Sequence, residues 1–440
     1  MGAHGSTDRY SVDVLNATQS SEFRRALMPW ALGPIQLRNR VIKSATNEGM
    51  APKGVPTQAL VHHHRSMAAG GVGMTTVAYC SVSADGRTFP DQITLNAETV
   101  KHLRVLTDAV HREGAAANAQ ITHGGAFNFL PQLSTRYPLS ASTGFNAPGV
   151  LSGRWFKNAM TCDDMARIKQ EFVAAALVAQ KSGFDAVELH MGHGYLLSQF
   201  LSPKYNRRKD AYGGSAEARA RFPAEVLDAV LAAVGKTMPV LCKISMFEGY
   251  KGGGTVEDAI ITAKKLSTHG AHLIVLSAGM NVETPWTIFG SKIPKGVAGA
   301  TQSFIMRAAT QVLQWQQPKI EFHDLYLLEA ARRIRVAVNT PLAYLGGVKS
   351  IAGIEEAMRD GFEAVVMGRA LIHQPDLLHS FEAGIQTRSG CTACNLCVPM
   401  MYTPGGTRCA LTSVENPTLN QVAPAIERLL QHSNLKRARI

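Results

Sequence analysis

Residues 184–222 read FDAVELHMGHGYLLSQFLSPKYNRRKDAYGGSAEARARF. The stretch opens on a short apolar run, Asp185 to His190, that follows the breaker Gly183. It then turns through a polar, glycine-bearing tip, His190-Met191-Gly192-His193-Gly194-Tyr195. A run of this length between breakers predicts a buried strand. Downstream, Ser215 to Val234 has helical spacing. The unit is therefore strand, polar tip, helix. Working outward, it recurs on both sides. Toward the N-terminus come strand Val41 to Ala45, helix Thr57 to Ala69, strand Val72 to Ala78, helix Ala97 to Glu113, strand Ala115 to Ile121 and helix Cys162 to Ser182. Toward the C-terminus come strand Pro239 to Ile244, helix Val256 to His269, strand His272 to Leu276, helix Asp324 to Val336, strand Leu342 to Leu345, helix Ile351 to Asp360, strand Ala364 to Met367 and helix Ala370 to Ala383. Eight such alternations predict a parallel sheet, and their number predicts an α/β fold of the (β/α)₈ TIM barrel type. A doubly wound open sheet stays open as an alternative, because periodicity does not show closure.

Three segments exceed a minimal barrel. Residues 124–160 and 279–323 are long excursions that leave the C-terminal ends of strands, where barrel sites are built; both read as lids. Residues 386–440 form a cysteine-bearing extension. The expected organisation is an N-terminal tail over 1–25, a barrel over 26–385 and that extension. The chain has 440 residues, 45% of them hydrophobic and 18% charged, which excludes wholesale disorder. The net charge is +12, but basic residues are scattered and only 7% of residues are aromatic. No stacking surface for single strands is present, so nucleic acid is not the expected partner. Anionic small ligands fit the charge better.

Polar side chains gather at the predicted strand tips, where burial without partners would be costly. Tips seven and eight carry Gly346-Gly347 and Gly368-Arg369, each followed by a helix. Glycine lets backbone N–H groups approach a phosphate, and arginine adds a fork of donors. Lys243, mid-strand in an apolar run, needs an anionic or electron-rich partner or serves as a Schiff-base nucleophile. Gln120 offers an amide that suits a pyrimidine edge. Together these point to flavin mononucleotide. His190 and His193 can donate to one oxygen, with the Tyr195 phenol close by. A metal pair joined by His123 is the alternative.

These residues lie in motifs that resemble the old yellow enzyme family of FMN-dependent ene reductases: Asn39-Arg40-Val41-Ile42, Ala69-Gly70-Gly71-Val72-Gly73, Gln120-Ile121-Thr122-His123-Gly124-Gly125, Val348 to Arg369 and, above all, residues 184–222. The resemblance implies that His190 and His193 bind the substrate oxygen and that Tyr195 donates the proton. It implies that Gln120 and Lys243 hold the flavin ring, that Ser44, Ala45 and Thr46 lie under it, and that Tyr79 makes a backbone contact to it. Gly346, Gly347, Gly368 and Arg369 then form the phosphate grip. The implied reaction is a ping-pong reduction of an enone-like small molecule by NAD(P)H. Asn47 stands where the family has Thr or Cys, Ala45 replaces a common proline, and Lys243 replaces an arginine and loses its planar fork.

Cys391, Cys394, Cys397 and Cys409 resemble the iron–sulfur motif of 2,4-dienoyl-CoA reductase and trimethylamine dehydrogenase, with two rather than three residues between the second and third cysteines. Asn416-Pro417 adds to that likeness. A [4Fe–4S] cluster, a zinc site and free thiols all stay open. The further flavin- and dinucleotide-binding domains of those larger relatives are not expected after residue 440. The rivals to an ene reductase are a cluster-bearing dienoyl-CoA reductase or amine dehydrogenase, a flavin-free aldolase and a retired barrel. His62-His63-His64 reads as helix surface. No secretory signal or membrane span is apparent, so a cytoplasmic location is expected, with a homo-oligomer left open. Met1 to Ser6 fits a myristoylation pattern and Ala438-Arg439-Ile440 distantly resembles a peroxisomal address. Both read better as tails.

Overall fold

The computed structural model describes residues 20–294 and 317–412, with Gln311 and Trp315 between them. The two terminal targeting-like patterns, Asn416-Pro417 and part of the second excursion lie outside the described residues. The eight apolar runs form the strands β1 (Val41–Lys43), β2 (Met74–Ser81), β3 (Ala116–Thr122), β4 (Ala186–Met191), β5 (Val240–Ser245), β6 (Leu273–Ser277), β7 (Leu342–Leu345) and β8 (Ala364–Met367). All eight pair in parallel in chain order, and Val365 of β8 lies against Val41 of β1. That last pairing closes the barrel and excludes the open sheet.

The helices between them are α1 (Gln58–Ala69), α2 (Val100–Arg112), α3 (Cys162–Lys181), α4 (Arg221–Val234), α5 (Val256–Thr268), α6 (Leu328–Arg335), α7 (Ile351–Arg359) and α8 (Arg369–His373). Capping boxes start α3 at Thr161 with Asp164, and α5 at Thr255 with Asp258. Four predicted helices are shorter or broken; the second starts at Val100 rather than Ala97, and the other three have a local reason. Pro223 has no N–H to offer the Arg219 carbonyl, so the fourth helix splits at Ala220 into Ala216–Arg219 and α4. Gln374 precedes Pro375 and is extended (φ −143°, ψ 98°), so the last helix breaks there and resumes at Leu377–Glu382. Leu325 has φ +55°, which delays the sixth helix to Leu328. Strand β2 runs three residues farther than predicted, with its register slipping between Val77 and Cys80.

The apolar residues divide into two layers. A shell between strands and helices includes Phe172, Phe222, Leu276 and Met358. A second cluster fills the barrel's lower half with Ile42, Met74, Leu241, Leu273, Val275 and Val366. It is closed by Trp30, Leu32 and Leu37 of a hairpin, Trp30–Leu32 with Ile35–Leu37, that plugs the base. Each such side chain contributes roughly 1.5–3 kcal/mol when fully buried. The base is thus dry and filled, and polar side chains are left to the opposite end.

That end is covered by the extension. Leu396 and Met400 are fully buried, the Thr407 amide donates to Glu48 O at 2.7 Å and its hydroxyl to Asn47 O at 2.5 Å. The first excursion carries a small three-stranded sheet, Leu139–Ser140, Gly144–Phe145 and Phe156–Ala159. The histidine triplet corrects the surface reading in part. His62 is exposed, but His64 is fully buried, with Nδ1 2.8 Å from Thr75 Oγ1 and Nε2 3.7 Å from Glu48 Oε1. Consecutive helix residues point about 100° apart, so one of the three faces the barrel.

Candidate active site

The tip of β4 sets the centre. Beyond Met191, the chain turns through Gly192, and His193 adopts φ +61°, unusual for a side chain with a Cβ. The turn is held by neighbouring strand ends: the His193 amide donates to Ser245 Oγ at 3.0 Å, and His193 Nε2 lies 2.8 Å from Ser277 Oγ. Backbone strain stored this way brings the His193 ring to 4.9 Å from the His190 ring, nearly perpendicular to it. Tyr195 then caps the short helix Leu196–Leu201, and its ring sits 4.6 Å from that of His190.

Burial decides the ionisation of this group. It pushes His190 far below the usual imidazole range, with His193 and Lys243 adding repulsion, and pushes His193 down to about 3. Both rings are neutral near pH 7. His190 Nδ1 accepts from the Gly192 amide at 3.4 Å, so its proton resides on Nε2. His193 Nε2 is engaged by Ser277, which leaves its Nδ1. The Tyr195 phenol is raised by desolvation and keeps its proton. Neutral donors of this kind polarise a carbonyl oxygen without a charge to desolvate. His123 does not join them. Its Nδ1 accepts from the Gly125 amide at 3.0 Å and it lines a separate small cavity with Asp85 and Arg167.

These groups line a mostly apolar cavity of about 330 Å³, with Tyr79, Gln120, Phe127, Asn281, Ile288 and Tyr402 among its walls. A second cavity of about 130 Å³ shares Ala45, Thr46, His193, Phe289 and Arg369 with it. That second cavity is lined by Ser44, Lys243, Gly347, Lys349, Gly368 and Arg369, with no carboxylate among the described residues that line it. Three cations on one wall, with their nearest acids, Glu188 and Asp324, behind the lining, beside glycines at tips seven and eight, suit an anionic, phosphate-bearing ligand. Lys243 Nζ donates to Ser44 Oγ at 3.3 Å and lies 3.7 Å from Glu188 Oε1, which also accepts from Gln120 Nε2 at 2.6 Å. Gln120 and Lys243, the pair expected to hold a flavin ring, are therefore held by one buried carboxylate. The donor set and the paired cavities fit FMN.

Every site residue read from the sequence is at this end of the barrel, but three are placed differently from their expected use. Gly346 is not among the residues that line either cavity, and its carbonyl accepts from Tyr344 Oη at 2.7 Å. Tyr79 turns its phenol into the pocket, and its carbonyl accepts from Gln92 Nε2 at 2.7 Å. Arg369 is not free in the second cavity: it donates to Phe289 O at 2.6 Å, Asn395 Oδ1 at 2.5 Å and Ser291 Oγ at 3.1 Å. Sequence reasoning missed Glu188, Ser277, Lys349 and Asn281. Glu188 was detectable, being the one acid inside the apolar β4 run and of the same parity as His190.

Cys391, Cys394, Cys397 and Cys409 line one narrow cavity of about 20 Å³ with Arg369 and His373. The loop that carries them passes through left-handed Ala393 (φ 56°) and Asn395 (φ 61°). His373 Nδ1 is 3.3 Å from Cys409 Sγ. Among the described residues, no three His, Cys, Asp or Glu side chains converge closely enough to hold one metal ion. Four thiols on one cavity are the donor chemistry that an iron–sulfur cluster or zinc takes. Among the described residues, no helix is long and apolar enough to cross a membrane.

Residues 27–287 match the NADH:flavin oxidoreductase / NADH oxidase family. A 4,4'-dithiodibutanoate disulfide reductase from Rhodococcus erythropolis is 38% identical over 405 residues, covering 89% of this chain and 97% of the relative. Among solved structures, histamine dehydrogenase from Rhizobium sp. 4-9 superposes with a TM-score of 0.73 at 22% identity, over 91% of this chain and 53% of that one. The old yellow enzyme homologue from Zymomonas mobilis superposes with a TM-score of 0.64 at 23% identity, over 83% and 95%. The chain thus spans nearly all of the first relative and about half of the histamine dehydrogenase.

Proposed function

The chain belongs to the NADH:flavin oxidoreductase / NADH oxidase family and is an FMN oxidoreductase that uses NAD(P)H, and on that premise we propose that it reduces activated carbon–carbon double bonds conjugated to a carbonyl. The observation that carries this reading is the convergence of His190, His193 and Tyr195, all uncharged, on a cavity that shares its wall with the cationic one.

Gln120, Lys243, Ser44, Ala45 and Thr46 would hold the flavin ring, and Gly347, Lys349, Gly368 and Arg369, which line the second cavity, its phosphate. When bound, FMN supplies hydride transfer from NAD(P)H to the acceptor. The chain's residues do the rest. His190, through Nε2–H, and His193 take the substrate oxygen and stabilise the charge it gains. Tyr195 holds a proton at Oη for the carbon next to the carbonyl. Lys243 would bring a positive charge to the ring and stabilise the negative charge it gains on reduction. The apolar walls, Phe127, Ile288 and Phe289, exclude water. The Schiff-base reading of Lys243 is set aside, since the family is one of flavin oxidoreductases.

Tyr195→Phe should slow alkene reduction by about 10²–10⁴-fold while leaving reduction of the flavin by NAD(P)H within twofold. Equal loss in both half-reactions would overturn the assignment. A second reading, an organic disulfide as acceptor, is favoured by the 38% identity to the disulfide reductase. A disulfide has no carbon to protonate, so Tyr195→Phe would leave its reduction nearly intact.

For the extension, we propose that Cys391, Cys394, Cys397 and Cys409 bind an iron–sulfur cluster. Anaerobic purification with iron and acid-labile sulfide assays tests it: about four of each per chain is expected, and zinc or no metal would overturn it.

A further inference from the structure

Aromatic rings from three distant parts of the chain meet at the substrate pocket. Phe89 comes from the loop after β2, Phe127 and Phe129 from the first excursion, and Tyr402 from the extension. All four line the cavity that also holds His190, His193 and Tyr195. The rings are in contact one after another. Phe127 lies 5.7 Å from Tyr195 and 5.1 Å from Phe129, measured between ring centres. Phe89 stacks on Phe129 at 5.1 Å, within 5° of parallel, and lies 6.4 Å from Tyr402. The wall thus runs from the Tyr195 ring out to Tyr402, which is 43% exposed.

Its planes stand nearly at right angles. Phe127 is 83° from Phe89 and 86° from Phe129, and Tyr402 is 77° from Phe89. Hydrogen bonds fix this arrangement before any ligand arrives. The Phe129 amide donates to Thr88 O at 2.8 Å, and the Gly124 amide to Gly86 O at 2.7 Å. Between the two phenylalanines of the excursion, the buried Asn128 amide donates to Asp85 O at 3.1 Å and Arg87 O at 2.8 Å. A wall built this way loses little freedom when a ligand lands on it. Phe89, Phe127 and Phe129 are half-buried, so each keeps area for a further contact.

The chemistry of the wall selects its occupant. Arg369 is the one charged side chain lining this cavity among the described residues, and it is already bonded to Phe289 and Asn395. A carboxylate on the wall would lose water without gaining a partner. A saturated group gains burial alone. A flat ring set in a corner of perpendicular rings gains burial and edge-to-face contacts as well. We propose that Phe89, Phe127, Phe129 and Tyr402 are specificity residues that select an acceptor with an aryl group beyond its double bond. This rests on the reading of the acceptor as a conjugated carbonyl compound. With its oxygen on the two histidines and Tyr195 adjoining the wall, the far substituent is the part that meets the rings.

The test uses the FMN-loaded enzyme and ligand pairs that differ only in saturation of the ring. Benzylacetone and its cyclohexyl analogue have no alkene to reduce, and their binding is read from the flavin spectrum. Benzylideneacetone and its cyclohexyl analogue are the matching enones, and give kcat/KM. The phenyl ketone should bind at least tenfold more tightly than the cyclohexyl one. The double variant Phe89→Leu with Phe129→Leu keeps apolar side chains and removes the rings. It should bring the two ketones within threefold of each other, with the phenyl preference in kcat/KM falling in step. Equal binding of the two ketones by the parent overturns the proposal, as does an unchanged ratio in the variant or an equal loss for both ligands. Should the double variant not retain FMN, Tyr402→Leu, at the exposed end, replaces it; a smaller fall in the ratio is expected, and none overturns the proposal. The two readings fail separately. A phenyl preference among the ketones without reduction of either enone sinks the double-bond reading and leaves the aryl site. Reduction of both enones without a phenyl preference among the ketones sinks the aryl site alone.

Discussion

The barrel interior contains a salt bridge whose removal can be predicted in sign as well as size. Lys43, on β1, and Glu48, just past its tip, are both buried, with Nζ 2.8 Å from Oε1. Lys43 also donates to Thr46 Oγ1 at 3.1 Å, and Glu48 accepts from the Ala78 amide at 3.2 Å. At this separation the Coulomb attraction is about 6 kcal/mol with an effective dielectric of about 20. Desolvation cancels much of that, but removing one partner leaves the other buried and uncompensated, at a cost of about 3–5 kcal/mol. Burial alone lowers Lys43 and raises Glu48 relative to their ordinary values, and each charge opposes the other's shift. The single variants should therefore have opposite pH dependences. Lys43→Met leaves a carboxyl whose folded pKa lies above its unfolded one. Its stability is retained at low pH and lost as pH rises through the folded value, so the variant recovers from pH 7 toward 5. Glu48→Gln keeps an acceptor for Ala78 but leaves an amine whose folded pKa is depressed. Its stability is lost below that folded value and recovers from pH 7 toward 9. Lys43→Met with Glu48→Gln removes both charges and should cost less than either single change. Urea unfolding of the four proteins at pH 5, 7 and 9 measures all of this. Single variants within about 1 kcal/mol of the parent, or pH slopes of the same sign, would refute the buried-pair reasoning.

Three further outcomes are expected. Acid should destabilise the fold early: His193 is held at about 3 and His123 at about 4, both depressed by burial, so stability is full above the ordinary imidazole value and is lost as pH falls through the window from about 6.5 to 3. For His193 the loss reaches about 5 kcal/mol at the lower end, and His193→Asn should flatten the urea midpoint against pH. Gly347→Ala places a Cβ at φ +82°, 3.0 Å from the Leu325 amide nitrogen and from the Tyr326 ring, and should cost about 1–2 kcal/mol or more, read from the same unfolding curves. Lys349→Met removes a cation from the phosphate cavity and should weaken FMN binding by about tenfold or more, measured by flavin fluorescence on the apoprotein; unchanged affinity would remove Lys349 from the grip.

The barrel was legible because its strands are apolar runs between breakers and its helices carry their own caps, so local pattern and tertiary role agree. Where prediction failed, a local exception was responsible: the missing N–H of Pro223, the extended Gln374 before Pro375, the left-handed Leu325. The strand-tip residues were legible for the same reason, since period and parity place them. Their partners were not. Ser277 reaches His193 across 84 positions, and Asn395 reaches Arg369 across 26. Such pairings depend on closure of the barrel and on the path of the extension, neither of which a linear pattern encodes.

Arg369 shows why this matters for function. Read along the chain, it follows Gly368 at a strand tip and has one expected task, a phosphate. In the fold its guanidinium sits at the junction of three elements. It lines the cationic cavity, it bonds Phe289 and Ser291 of the second excursion, and it bonds Asn395 between Cys394 and Cys397. Lys349 repeats the arrangement from the next loop, with Nζ donating to the Cys391 carbonyl at 3.1 Å while lining the same cavity. Cys391 itself faces both the cationic cavity and the narrow cysteine cavity, and Cys397 faces both the latter and the substrate pocket. The extension is thus a wall of the site. Any change in the bonding of its cysteines acts on the cations of the second cavity and on the apolar pocket through shared residues, without a long-range path.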